Sequence, residues 1–174
     1  YEKINLLPIE VKKYFENGSK MENFYSLCFD ILEKTSEILQ TDILKISGGE
    51  ITTNENLVGF IKKIHKNYPS IQILTNGFKI KEEEIKEYRK MGNISFQISI
   101  DGVTPDSNYA KSHNAKITEK VIQNIEIMIK EGLGVEINCV LTKFNTDKFL
   151  EFLERFKDAN NFIIVPRPVR GEPK

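Results

Sequence analysis

Cysteine and histidine are scarce in these 174 residues, two of each. Cys28 and Cys139 lie far apart, and neither His65 nor His113 has a Cys, Asp or second His at a metal-ligand spacing, so the histidines read as solvated side chains. Two isolated cysteines, without a signal-peptide pattern or an apolar run long enough to span a bilayer, indicate a reducing compartment, with the cytoplasm as default. An excess of one charge is also missing, since 25 Lys and Arg balance 25 Asp and Glu. A balanced chain with no basic, aromatic-interleaved block has no field to gather nucleic acid or an anionic membrane, which favours a neutral small molecule or a peptide as ligand. The phosphate-loop pattern Gly-x-x-x-x-Gly-Lys is absent, no Ser, His and Asp set follows from spacing, and no repeat, low-complexity tract or linker divides the chain.

What is present is a steady alternation of hydrophobic period. With 40% apolar residues the chain can bury one good core but not two. Phe24, Leu27, Cys28, Ile31, Thr35 and Ile38 share a helical face ahead of a β-rich run, Ile43-Leu44-Lys45-Ile46. Leu57, Phe60, Ile61 and Ile64 predict a second helix before the strand Ile71-Gln72-Ile73-Leu74. The acidic run Glu82-Glu83-Glu84 opens a third helix, which carries Ile85 and Tyr88 inward and stops at Gly92; Ile94, Phe96, Ile98 and Ile100 then alternate as a strand. Val121, Ile125, Met128 and Ile129 make a fourth helix, closed by Gly132, and Val135, Ile137, Cys139 and Leu141 a fourth strand. Phe149, Leu150, Leu153 and Phe156 make a fifth helix before Phe162-Ile163-Ile164-Val165, a run apolar enough for a strand buried on both faces. Alternating helices and strands with short connections predict an α/β fold with a parallel sheet. Five strands are too few to close an eight-stranded barrel, so an open arc is expected, with a doubly wound sheet as the rival.

In either architecture ligands sit at the carboxyl ends of the strands, and those ends are polar here. They read Ser47-Gly48-Gly49-Glu50, Thr75-Asn76-Gly77, Ser99-Ile100-Asp101-Gly102, Thr142 and Pro166-Arg167. Two glycines let backbone approach a ligand at angles closed to other residues, and Glu50 adds a carboxylate, a set suited to an ammonium group. Taken alone the double glycine is as readily a tight turn, and Asn76-Gly77 and Asp101-Gly102 are more often plain turns; recurrence at one end of three successive strands gives the set its weight.

Those three ordered strand ends resemble the successive motifs of radical S-adenosylmethionine enzymes, above all the branch of sulfatase maturases and peptide-modifying enzymes. The resemblance implies a partial (β/α)6 TIM-like barrel, here truncated to about five parallel strands, with residues 1–174 a core-domain fragment lacking the first strand. It implies S-adenosylmethionine and a 4Fe-4S cluster held by Cys-x3-Cys-x2-Cys, whose electron cleaves the sulfonium to a 5′-deoxyadenosyl radical that abstracts hydrogen from a peptide or small-molecule substrate. An electron donor such as flavodoxin or ferredoxin is implied as partner, and neither nucleic acid nor membrane. By the same likeness Gly48, Gly49 and Glu50 hold the methionyl ammonium, and Ser47, Thr75 and Asn76 also belong to the cofactor-binding set. Ser99 and Asp101 face the ribose or the methionyl carboxylate, and Val165 and Pro166 border the adenine.

Two departures qualify the likeness. Where the family branch places an arginine after its Asp-Gly, this chain has Lys111, which keeps the charge without the bidentate fork and is as readily a solvated loop lysine. No cysteine triplet is present, and Cys28 and Cys139 read as core residues rather than cluster ligands. Tyr1 suits the aromatic position that follows the third cysteine, so the expectation is a fragment whose triplet lies immediately ahead of Tyr1 and whose last residues, from Arg167, trail off as a turn. The alternatives are a cluster-less β/α barrel that binds or scaffolds a peptide, and an ordinary β/α lyase with Glu50 or Asp101 as acid or base.

Overall fold

The computed structural model describes residues 21–38 and 41–168. In chain order these form α1 (Met21–Ile38), β1 (Ile43–Ile46), α2 (Leu57–Ile64), β2 (Ser70–Thr75), α3 (Glu82–Met91), β3 (Ile94–Ser99), α4 (Ala115–Lys130), β4 (Gly134–Leu141), α5 (Phe149–Arg155) and β5 (Phe162–Pro168). Local chemistry sets the boundaries. The Lys81 backbone N–H donates to the Glu84 carboxylate at 2.9 Å where α3 begins, and left-handed Gly92 ends it.

All five strands are parallel and lie side by side in chain order. A doubly wound sheet reverses its order at a switch point and places helices on both faces; this sheet never reverses. Each right-handed crossover therefore drops its helix on the same side, and the result is an open arc of a TIM-like barrel.

Parallel register puts paired residues on one face, so the sheet has two distinct surfaces. The helix-facing surface is the core: Ile71, Ile73, Phe96, Ile98, Val135 and Ile137 are all 2% exposed or less. Opposite them, the concave face carries Lys45, Gln72, Gln97, Glu136 and Asn138.

Three expectations shift. The helix α1 turns Phe29 and Leu32 to the core, whereas Ile31 and Ile38 are exposed; side chains 21–27, including Phe24 and Leu27, lie outside the described residues. The apolar pairs Cys28-Phe29 and Ile31-Leu32 carry two overlapping stripes, and packing selects one. In α5 and at its C-cap, Phe152 and Phe156 are buried, while Leu150 and Leu153 face solvent. β5 is not buried on both faces: it is an edge strand, Ile163 is 64% exposed on its concave side, and the strand runs on through Arg167 to Pro168 instead of turning. Tyr1 and the tail from Val169 lie outside the described residues.

Candidate functional site

Because the strands are parallel and ordered, their carboxyl ends gather on one rim, and Glu50 joins two of them. Its Oε1 accepts from Thr52 N at 3.1 Å, Thr52 Oγ1 at 2.6 Å and Thr75 Oγ1 at 2.6 Å; its Oε2 accepts from Asn76 N at 2.8 Å. Burial alone would raise the Glu50 pKa, but these four hydrogen bonds outweigh it and hold the carboxyl below its ordinary range. The group is an anion at neutral pH. Oε1 is crowded, whereas Oε2 has room for a further donor.

The glycines beside it act differently from the sequence expectation. Neither Gly48 nor Gly49 has positive φ, so no forbidden backbone angle is in use. What matters is the missing side chain: a Cβ on Gly49 would meet nothing within 4 Å, and one on Gly48 would sit 3.0 Å from Ile51 Cγ2. Ser47 to Glu50 also border a cavity of about 530 Å³. Since consecutive Leu44, Lys45 and Ile46 all line it, the cavity follows the edge of β1 beside α1 and does not open on the concave face alone.

Asn76 bends the chain after β2: its Oδ1 accepts from Phe78 N at 2.9 Å. From α4, Asn124 Nδ2 reaches the carbonyls of Gly77 at 2.8 Å and Ile80 at 3.1 Å, fixing that turn to the core.

Asp101 lies in a different setting. Its side chain is 1% exposed, and Oδ1 accepts from Val140 N at 2.8 Å with Lys111 Nζ 3.9 Å away. Burial raises its pKa, more than the Val140 N–H and the Lys111 charge lower it. Its own N–H donates to Asn108 Oδ1 at 2.9 Å, and its carbonyl accepts from Asn145 Nδ2 at 2.7 Å. Asp101 thus clips β3 to β4, and of the pair only Lys111, one-third exposed, reaches solvent at the rim.

Ser99 and Val165 both pair with Asn138, so the three form one row across β3, β4 and β5. The structure therefore joins Glu50, Thr75 and Asn76 by hydrogen bonds, with Ser47, Gly48 and Gly49 preceding Glu50 along the cavity, and sets Asp101 beside Lys111, with Ser99 and Val165 on the concave row. Sequence reasoning missed Thr52, which bonds Glu50 two residues away, and Asn124 and Asn145, whose partners Gly77, Ile80 and Asp101 lie more than 40 residues off. Cys139 is fully buried, and burial first, then the Asp101 charge, pushes its thiol up to about 11; Cys28 is half-buried and also raised by burial.

Residues 26–156 match the model of the Radical SAM superfamily. The chain belongs to that superfamily. Among relatives of this radical SAM chain, the GTP 3′,8-cyclase of Aliarcobacter butzleri is 32% identical over 124 residues, 70% of this chain and 38% of that protein. The sporulation killing factor maturation protein SkfB of Bacillus subtilis is 21% identical over 120 residues, 69% of this chain and 29% of its own. In fold, Streptococcus suis SuiB bound to S-adenosylmethionine superposes with a TM-score of 0.70 at 18% identity, covering 84% of this chain and 35% of that one. The radical SAM chain thus spans well under half the length of each of these proteins.

The rim fits S-adenosylmethionine: an ionised carboxylate has an oxygen open to an ammonium, and a glycine leaves free approach beside it. The described residues do not fit a cysteine-held cluster. Among them no three His, Cys, Asp or Glu side chains gather, and both thiols are held protonated by burial.

Proposed function

We propose that this chain is the S-adenosylmethionine-binding core of a cytoplasmic radical enzyme acting on a peptide, residues 1–174 being a fragment of the core domain. The observation that carries the reading is Glu50, an anion fixed where β1 and β2 end, with Oε2 open beside Gly49. In this reading Glu50 and the backbone of Ser47, Gly48 and Gly49 take the methionyl ammonium, while Thr75 and Asn76 position the carboxylate that grips it. Lys111 takes the methionyl carboxylate, with Asp101 as the positioning residue behind it. Ser99 faces the ribose, and Val165 gives the adenine an apolar edge.

When bound, S-adenosylmethionine would take one electron from a 4Fe-4S cluster recharged by a donor such as flavodoxin or ferredoxin, and would supply methionine and a 5′-deoxyadenosyl radical that removes a hydrogen atom from the substrate. The described residues do not themselves hold that cluster.

The relatives include GTP 3′,8-cyclases, a molybdenum cofactor biosynthesis protein and the maturation proteins SkfB and MftC, and SuiB is known in complex with a precursor peptide. A nucleoside triphosphate asks for a concentrated patch of cations. The concave face has Lys45 and Arg167 on its outer strands with Glu136 between them, a mixed surface better matched to a peptide.

Calorimetric titration of S-adenosylmethionine into the chain tests the binding claim. Glu50→Ala should weaken it by tenfold or more, about the worth of one charge-assisted hydrogen bond. Affinity unchanged by that substitution would refute the assignment. For the whole reaction, the complete gene product, purified without oxygen and reduced, should release 5′-deoxyadenosine. Binding without release would place the protein with the peptide-binding scaffolds.

A further inference from the structure

The chain between β3 and α4 leaves the rim at Asp101 and returns at Asn114, and one buried side chain grips it at both ends. Asn108, 3% exposed, accepts the Asp101 N–H through Oδ1 at 2.9 Å and donates from Nδ2 to Thr118 Oγ1, near the start of α4, at 2.9 Å. Its backbone adds a third tie: the Asn108 carbonyl accepts the N–H groups of Lys111 and Ser112, each at 3.0 Å. Gly102 makes room for this, since a Cβ there would lie 2.0 Å from the Oγ of Ser107, the residue before Asn108.

These bonds hang two things from one residue: the root of Lys111 and the carboxylate behind its charge. Lys111 Nζ stands 3.9 Å from Asp101 Oδ1. An arginine presents a planar fork, already organised for a carboxylate; a lysine is a point charge on a flexible stem, and ordering that stem costs rotamer freedom. With lysine, the direction of the charge depends on where its root and its counter-charge are fixed. Closure of the loop has other means. Thr104 and Ser107 bond each other, and on the outside the Tyr109 ring lies 4.1 Å from His113 and 5.1 Å from Phe144, centre to centre. None of those contacts involves Asp101 or Lys111.

We propose that Asn108 is a positioning residue for the ligand's carboxylate: its side chain and carbonyl set Lys111 against Asp101, so that the ammonium is held in the direction from which it meets that carboxylate. The inference rests on the reading above, in which Lys111 takes the methionyl carboxylate, and adds the residue that lets a lysine serve where an arginine is expected.

The test is a double-mutant cycle on the complete gene product, purified without oxygen and left unreduced, with S-adenosylmethionine binding read by calorimetry. Lys111→Met should weaken binding about tenfold and Asn108→Ala about fivefold; Asn108→Ala added to Lys111→Met should weaken it less than about twofold further. Asn108→Asp keeps an acceptor for the Asp101 N–H, and the Thr118 hydroxyl can turn to donate to it, so affinity should stay within about twofold of native. Thermal melts report which variants fold; if Asn108→Ala does not, Thr118→Val frees the far end of the amide and takes its place in the cycle. An equal loss from Asn108→Ala in both backgrounds, which a merely structural role gives, overturns the positioning role and leaves the Lys111 reading intact. No loss in either background, or a loss in Asn108→Asp as large as in Asn108→Ala, does the same. Unchanged affinity in Lys111→Met removes the Lys111 reading and the Asn108 role with it, while the Glu50→Ala titration reports separately on the ammonium site.

Discussion

Asp101 and Glu50 are both carboxylates at strand ends, yet their surroundings push them in opposite directions. Glu50 has a lowered pKa, so its bonds add stability above the ordinary carboxylate range and lose it as pH falls through the lowered value. Asp101 has a raised pKa, so its contribution is present in acid and lost as pH rises through the raised value. Asp101→Asn keeps an acceptor for Val140 N without the buried charge. It should be more stable than the native chain at neutral pH, and the gap should close as pH falls through the raised pKa, read by thermal melts across pH. Asp101→Ala strands the Val140 N–H and should cost about 1–3 kcal/mol in urea unfolding. Gly102 answers to a different constraint. A Cβ there would lie 2.0 Å from Ser107 Oγ and 2.4 Å from its Cβ, so Gly102→Ala should destabilise by about 1–3 kcal/mol through overpacking. From sequence, Asp101-Gly102 taken alone reads as a plain turn, because neither Val140 nor Ser107 is visible as a neighbour in the string.

The turn after β2 shows how an element far along the chain shapes the rim. Asn124, on α4, holds the carbonyls of Gly77 and Ile80 and is fully buried. Asn124→Leu should leave both carbonyls unpaired, costing about 1–3 kcal/mol, and should speed amide hydrogen exchange in that turn more than in β4. The period of α4 marks Val121, Ile125 and Met128 as core, but a polar residue inside such a stripe gives no sign of its partner. Helix faces were legible where the apolar stripe was single, as in α2 and α3. They were not legible in α1 or α5, where adjacent apolar residues support two faces and only contact with the sheet selects one. β5 misleads for a related reason: apolar composition reports that a strand is hydrophobic, and its place at the edge of the sheet is a matter of how many strands lie beyond it.

Taken as one body, the arc should gain stability from any ligand that binds only the folded chain. S-adenosylmethionine at one hundred times its Kd should add about 2.7 kcal/mol, and Glu50→Ala should lose the resulting rise in melting temperature at the same ligand concentration. The order of helices and strands, the parallel sheet and the polarity of the strand ends follow from the local period of hydrophobicity and from turn residues, which act over a few positions and can be read from a single chain. The winding sense, the union of Glu50 with Thr75 across 25 residues, the inward clip of Asp101 and the Glu136 row on the concave face arise from contacts between segments remote in sequence. A carboxylate's role depends on which donors surround it, and those donors arrive only when the strands are laid side by side.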